Sequence, residues 1–310
     1  MPVGDAELDA VAAFLKTEDP HGVRTANAVR RTIDMLLDGQ RTGRFRWQQL
    51  NKTEKTYAGT LVEINLQRAF GFDDGTAMDY RIEGVEVDCK FSQDRGKWMI
   101  PPEAMGHLCL GLWANDDAGL WSAGLFRVTE DVLTAGTNRD RKRTLTAPAL
   151  GSAVRWLHHE SKLPENVLLR LPESDLARIF GHKHGTKRVD ELFRLAQGRR
   201  VSRTVVATVA MQDDYMKRVR GNGGSRSSLR REGIVIFGQY FAHAPLAGQL
   251  GLPIPGQGEF VSARLVPATG NGRGHPPVYI EGKAWALAQP GDPVVEAPLL
   301  PDTKKASDGE

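Results

Sequence analysis

Asp79, Asp88 and Lys90 are the side chains in this sequence best placed to do chemistry. They sit in the run Asp79-Tyr80-Arg81-Ile82-Glu83-Gly84-Val85-Glu86-Val87-Asp88-Cys89-Lys90. Apolar Tyr80, Ile82, Val85, Val87, Cys89 and Phe91 alternate with polar Asp79, Arg81, Glu86, Asp88 and Lys90. A period of two predicts two half-buried strands, and Glu83-Gly84 stands where a two-residue hairpin turn belongs. That turn sets Ile82 opposite Val85, Arg81 opposite Glu86, Tyr80 opposite Val87 and Asp79 opposite Asp88. Opposed side chains have Cβ atoms about 5 Å apart, so two carboxylates converge on one face, with Lys90 two residues beyond Asp88. Like charges in that position destabilise a sheet unless a cation lies between them. Mg²⁺ suits such a site, because it takes one or two carboxylates and completes its shell with water and substrate phosphate. An ammonium beside it can orient the attacking water. This is the D…(D/E)-x-K pattern of metal-assisted phosphodiester hydrolysis. The alternative is a solvated sheet face carrying the same charges, and a bulge at Gly84 would shift the pairing by one.

Glu63 adds a third carboxylate. Lys52 to Phe70 reads as a helix in which Leu66 and Phe70 share a face with Glu63, so the carboxylate turns toward the protein. An inward carboxylate needs a partner: either a salt bridge to Arg81 or Lys90, or the metal of the hairpin.

The elements that must position these groups follow from pattern. Asp5 to Lys16 and Arg24 to Leu37 read as amphipathic helices, the second ended by Asp38-Gly39. Leu108 to Ala114 and Leu120 to Val128 read as apolar strands around the loop Asn115-Asp116-Asp117. Helices with several strands give an α/β or α+β fold around one central sheet. A domain break is expected between Ala147 and Pro172. Beyond it, Lys187 to Gln197 reads as a helix, Val201 to Met211 as helix or strand, Asp213 to Arg220 as a short helix and Gly233 to Gly238 as a strand. Short helices, a basic turn and a hairpin resemble a winged helix-turn-helix. The end, from Gln289 on, is rich in Pro and charge and is expected to be disordered.

Composition narrows the class. A chain of 310 residues with 40% apolar content holds one large or two ordinary domains. No apolar run is long enough to span a membrane, and Met1 to Asp9 lacks the apolar core of a signal peptide. Cys89 and Cys109 alternate onto apolar strand faces, which predicts buried free thiols and a reducing cytoplasm. No Cys/His zinc spacing occurs, and His158-His159 and His182-x-His184 read as loop or surface pairs. From Lys183 to Arg231 there are thirteen Lys/Arg against four Asp/Glu, although the whole chain is only +3. That clustering is the footprint expected of a nucleic-acid surface. Lys217-Arg218-Val219-Arg220 followed by Gly221 and Arg226 is the best contact candidate: its arginines suit phosphates or guanine, and its glycines allow close backbone approach.

The chain resembles the NaeI-type (type IIE) restriction endonucleases. The resemblance is carried by Leu36-Leu37-Asp38-Gly39-Gln40-Arg41-Thr42-Gly43-Arg44, Lys52-Thr53-Glu54-Lys55-Thr56, Gly59-Thr60-Leu61-Val62-Glu63-Ile64-Asn65-Leu66 and Val87-Asp88-Cys89-Lys90-Phe91-Ser92. Gln212-Asp213-Asp214, Met216-Lys217-Arg218-Val219-Arg220-Gly221 and Pro290-Gly291-Asp292-Pro293 carry it in the second half. It implies an endonuclease domain of the PD-(D/E)xK type with a central mixed sheet over 1–155, and a linker over 156–172. A winged-helix domain of the catabolite-activator-protein type over 173–290 and a disordered tail over 291–310 would follow. It implies a homodimer that uses Mg²⁺ to cut double-stranded DNA at a palindrome, GCCGGC with blunt ends, and binds a second copy of the site as effector. A cognate DNA methyltransferase belongs to such a system. The implied catalytic residues are Glu63, Asp79, Asp88 and Lys90, with Asp79, Asp88 and Glu63 toward the metal. Arg41, Arg44, Lys217, Arg218, Arg220 and Arg226 are the expected DNA contacts. The family carries a ligase-like motif with leucine in place of the nucleophilic lysine; here Leu36, Asp38 and Gly39 occupy it, with Leu37 where the family has an aromatic. Leucine forms no covalent adduct, so ligase or nicking-closing activity is not expected. The competing class is a sequence-specific DNA-binding regulator with an inert nuclease-like domain.

Overall fold

The computed structural model describes residues 4–136, 138–268 and 275–301. The chain divides into two compact units, Met1–Leu37 with Arg46–Pro164, and Asp38–Phe45 with Glu165–Glu310.

The first unit opens with α1 (Ala6–Glu18), capped by the Asp5 carboxylate on the Leu8 N–H, and α2 (Val23–Leu37). The chain then contributes α3 (Gly39–Thr42) to the second unit and returns for α4 (Lys52–Phe70). Reciprocal capping by Asn51 and Glu54 starts α4, and Gly71 in the left-handed region ends it. Strands β1 (Asp73–Asp74), β2 (Tyr80–Ile82), β3 (Val85–Ser92), β4 (Leu108–Asn115) and β5 (Leu120–Arg127) follow, then α5 (Ala147–Ser152) and β6 (Arg155–Lys162). They form one six-stranded sheet in sequence order. Only β3 and β4 pair in parallel; the other neighbours are antiparallel, so the sheet is mixed. The connection from β3 to β4 carries Trp98 and Ile100, which pack with Cys109, Phe126 and Val128 in one core cluster. Val29, Val62, Leu66, Tyr80, Val87 and Leu110 pack in another, which unites α2 and α4 with the sheet. This is why β4 reads as an almost unbroken apolar run: it is covered on both faces.

The second unit contains α3, α6 (Glu173–Gly181), α7 (Gly185–Leu195), β7 (Arg200–Ser202), α8 (Arg203–Ala210) and α9 (Ser225–Ser228). After these come β8 (Ile234–Gly238), α10 (His243–Gln249), β9 (Glu259–Pro267), β10 (Val278–Ile280) and β11 (Lys283–Leu287). Long β9 organises the sheet, pairing with β8, β7 and β11 in turn. Leu176, Val189, Phe193, Val206 and Val209 join Ile236 and Phe260 in one core. Gly39 is seated against α8 so closely that a Cβ there would lie 2.1 Å from Thr208 Oγ1. No helix among the described residues is long and apolar enough to cross a membrane.

Three expectations need correction. The segment 156–172 is not a plain linker: its first part is β6, followed by a 3₁₀ turn at Val167–Arg170. The short helix expected over Asp213 to Arg220 is confined to Tyr215–Val219 and is 3₁₀ rather than α. The start of the expected tail is ordered against the second unit, since Arg230 Nε donates to Ala297 O at 2.9 Å and Ala297 is buried. Its end, 302–310, lies outside the described residues.

Candidate active site

Glu63 and the hairpin converge through Tyr80. The ring of Tyr80 is fully buried, and its hydroxyl donates to the Glu63 carbonyl at 2.8 Å, which fastens the middle of α4 to β2. The hairpin register is Tyr80 with Val87, Arg81 with Glu86 and Ile82 with Val85, the pairing expected from alternation. Glu83 and Gly84 both have positive φ, +52° and +77°, as a type I′ turn demands. The ladder stops at Tyr80, one pair short of Asp79 and Asp88. Asp79 is held differently: its Oδ2 accepts the Cys89 N–H at 2.7 Å.

The charges then fall together. Lys90 Nζ lies 2.5 Å from Asp88 Oδ1 and 3.7 Å from Asp79 Oδ2, and donates to Cys89 O at 2.9 Å. Asp88 is buried, and its Oδ2 makes no hydrogen bond. Burial pushes the Asp88 carboxyl above the usual range; Lys90 opposes this and Asp79 adds to it. Burial also raises the half-buried Glu63, helped by the negative charges of Asp79 and Asp88, with Lys90 opposing. Burial would lower the Lys90 ammonium, but Asp88 and Asp79 outweigh it, so the lysine stays charged. Asp79 and Asp88 share the Lys90 cation, and Glu63 lies near enough for all three charges to act on it. Cys89 and Cys109 are buried free thiols whose desolvation pushes them up, which leaves them inert beside it.

This donor set fits Mg²⁺. Its oxygens are hard ligands, and the unpaired Asp88 Oδ2 is a buried acceptor awaiting a cation. Among the described residues no group of three or more His, Cys, Asp or Glu is arranged to enclose a metal. Glu63 therefore does not complete a three-carboxylate metal set with Asp79 and Asp88. The profile of the family described as "Restriction endonuclease NaeI" matches residues 9–296. The chain is also 51% identical over 303 residues to a "Type II restriction enzyme NaeI" of Lentzea aerocolonigenes, across 96% of this chain and 95% of that one. The chain belongs to the NaeI family of restriction endonucleases. It is therefore an endonuclease of a restriction system, a DNA-binding hydrolase, and a competing identity as a regulator alone has no support.

In this NaeI-family chain the other expected residues are dispersed over the second unit and its boundary. Leu36 and Leu37 are buried at the end of α2, while Asp38, at φ +43°, begins the second unit's first segment. Arg41 is exposed and lies 3.4 Å from Asp38; Arg44 is half-buried. Lys217 is exposed and lies 3.5 Å from Asp214, and Arg220 is exposed. Arg218 Nη2 donates to Asp214 Oδ1 at 2.8 Å. Arg226 is half-buried. Its Nε donates to Ile236 O at 3.1 Å and its guanidinium lies over the Tyr240 ring at 5.1 Å, so it braces β8. With Asn222 and Arg231 it lines a cavity of about 910 Å³ in this unit. The sequence missed Tyr80 as a fastener of Glu63, because alternation alone reports it as an apolar residue facing Val87.

Proposed function

We propose that the chain is a Mg²⁺-dependent type II enzyme that cuts both strands of DNA at a short palindrome, using Glu63, Asp79, Asp88 and Lys90. The observation that carries this is the buried Asp88 Oδ2, without a hydrogen bond and next to Asp79 and Lys90. Asp79 and Asp88 would hold the ion, with Glu63 as a third carboxylate beside them. When bound, Mg²⁺ polarises the scissile phosphate and makes water a stronger nucleophile. Lys90 orients the attacking water or contacts the phosphate. Tyr80 and the Cys89 N–H keep the carboxylates in place while the phosphate enters.

The resemblance to the NaeI-type enzymes makes GCCGGC with a blunt cut the proposed target. Palindromic cutting fits a homodimer, since two-fold DNA symmetry is matched by two-fold protein symmetry. The second unit is proposed as a winged-helix domain of the catabolite-activator type that binds a second copy of the site as effector. The packed helices α6, α7 and α8, followed by the β8–β9 pair, and the basic run to Arg231 support that reading. Lys217, Arg218 and Arg220, with Arg41 and Arg44, are its proposed phosphate contacts. A cognate methyltransferase would protect the host's own sites, and the proposed compartment is the cytoplasm.

Digestion of a DNA of known sequence with Mg²⁺, followed by mapping of the ends, tests this reading. Discrete fragments with ends inside one palindrome are expected. Uncut DNA, or ends without a common sequence, would contradict it.

A further inference from the structure

Glu86 shares a strand face with Asp88 and Lys90, since the three alternate along β3. By spacing alone it would be a fourth acidic group for the metal. Its carboxylate is otherwise committed. Oε2 accepts the N–H groups of Thr76 at 3.1 Å, Ala77 at 3.0 Å and Met78 at 2.8 Å, and Oε1 accepts Thr76 N–H at 2.9 Å. Three successive amides thus wrap one carboxylate, a backbone nest around a side-chain anion. Arg81 closes it from the paired strand, with Nη2 3.6 Å from Glu86 Oε1 and donating to Thr76 Oγ1 at 2.7 Å.

The loop so gripped ends at Asp79. Met78 is the residue before it, and Gly75 N–H reaches back toward Asp79 O at 3.5 Å. The approach is tight: a Cβ on Gly75 would lie 2.1 Å from Met78 O and 2.9 Å from Glu86 Oε2. Asp79 itself has no ladder partner across the hairpin. It is located from one side by the Cys89 N–H and from the other by the loop that Glu86 grips. Both anchors belong to β3, the strand that carries Asp88 and Lys90. One rigid strand therefore sets both carboxylates of the proposed metal pair.

We propose that Glu86 is a positioning residue for cleavage, which fixes Asp79 relative to Asp88 by gripping the Thr76–Met78 amides. This rests on the reading of Asp79 as a metal-holding carboxylate. An outer partner of a metal ligand is commonly worth about 10–100-fold in metal affinity or activity.

The test uses the full chain and three variants: Glu86→Gln, Gly75→Ala and Asp79→Asn. Glu86→Gln keeps the shape but offers one weaker acceptor to three amides. Gly75→Ala disturbs the same grip from the loop side and leaves Glu86 intact. For both, the Mg²⁺ concentration giving half-maximal cleavage is expected to rise by about 10–100-fold. KM for DNA should stay unchanged, and amide hydrogen exchange at 76–78 should quicken. A wild-type Mg²⁺ dependence in Glu86→Gln beside an inactive Asp79→Asn would overturn the proposal alone. So would lost cleavage with undisturbed exchange at 76–78, the mark of a direct metal ligand. Full cleavage by Asp79→Asn would overturn the reading of Asp79, and this proposal with it.

Discussion

Tyr80 shows how much of the site depends on an uncharged residue. Its ring fills the core between α4 and the sheet, and its hydroxyl, pushed far up in pKa by burial, stays protonated and donates to Glu63 O. Tyr80→Phe removes one buried hydrogen bond while keeping the volume, so it should cost about 1 kcal/mol in urea unfolding. A variant as stable as wild type would mean that α4 is not fastened there. The charged residues were legible from alternation and helical spacing, because those periods decide which side chains share a face. The fasteners were not. A hydroxyl on a distant helical carbonyl, and three amides on Glu86, depend on loop conformations that no local period encodes.

At the scale of elements, Asp5 does two jobs. It caps α1 through Leu8 N–H, and it receives Arg127 of β5 at 2.7 and 2.9 Å, which ties the first helix to the sheet. The Arg127 hydrogen bond, with the cap behind it, holds its carboxyl below the usual value against the opposing effect of burial. A depressed folded pKa means that its stabilisation is present above the unfolded value and fades as pH falls through the folded one. Asp5→Ala should therefore cost about 1 kcal/mol at neutral pH, through loss of both the cap and the Arg127 pair. The gap from wild type should close as pH falls below the ordinary Asp range; a gap independent of pH would contradict the assignment. The bounds of α4 and the turn at Glu83-Gly84 agree with expectation because caps and turn chemistry are local signals. Strand β6 was hidden for a physical reason. It pairs only with β5, and the register slips on either side of Ala123, so Trp156, Leu157, His158 and His159 never alternate cleanly. Asp213 to Arg220 has charges that suit a helix macrodipole, but it is helical only over Tyr215–Val219, and there as a 3₁₀ helix.

At the scale of the whole molecule, two compact units match the contrast between a near-neutral first half and a basic second half. The sequence could not show that 38–45 belongs to the second unit, because its partners there, such as Thr208 beside Gly39 and Asp213 beside Gln40, lie far away in the chain. The second unit's proposed effector role yields a graded expectation. Arg220 is exposed, whereas Arg218 is held by Asp214. Arg220→Ala should weaken effector binding more than Arg218→Ala, and each should flatten the slope of log affinity against log salt by about 0.9 per lost phosphate contact. Unchanged affinity and slope in both would place the DNA surface elsewhere.

The central claim is that Asp88 is the carboxylate on which hydrolysis depends, and Asp88→Ala tests it most directly. Removing it takes away the unpaired Oδ2 and the close partner of Lys90 while leaving the second unit untouched. Cleavage of a plasmid carrying the site, with Mg²⁺ and enzyme in excess, is measured beside binding of the same site. The account predicts no cleavage and undiminished binding. Cleavage at the wild-type rate would contradict it.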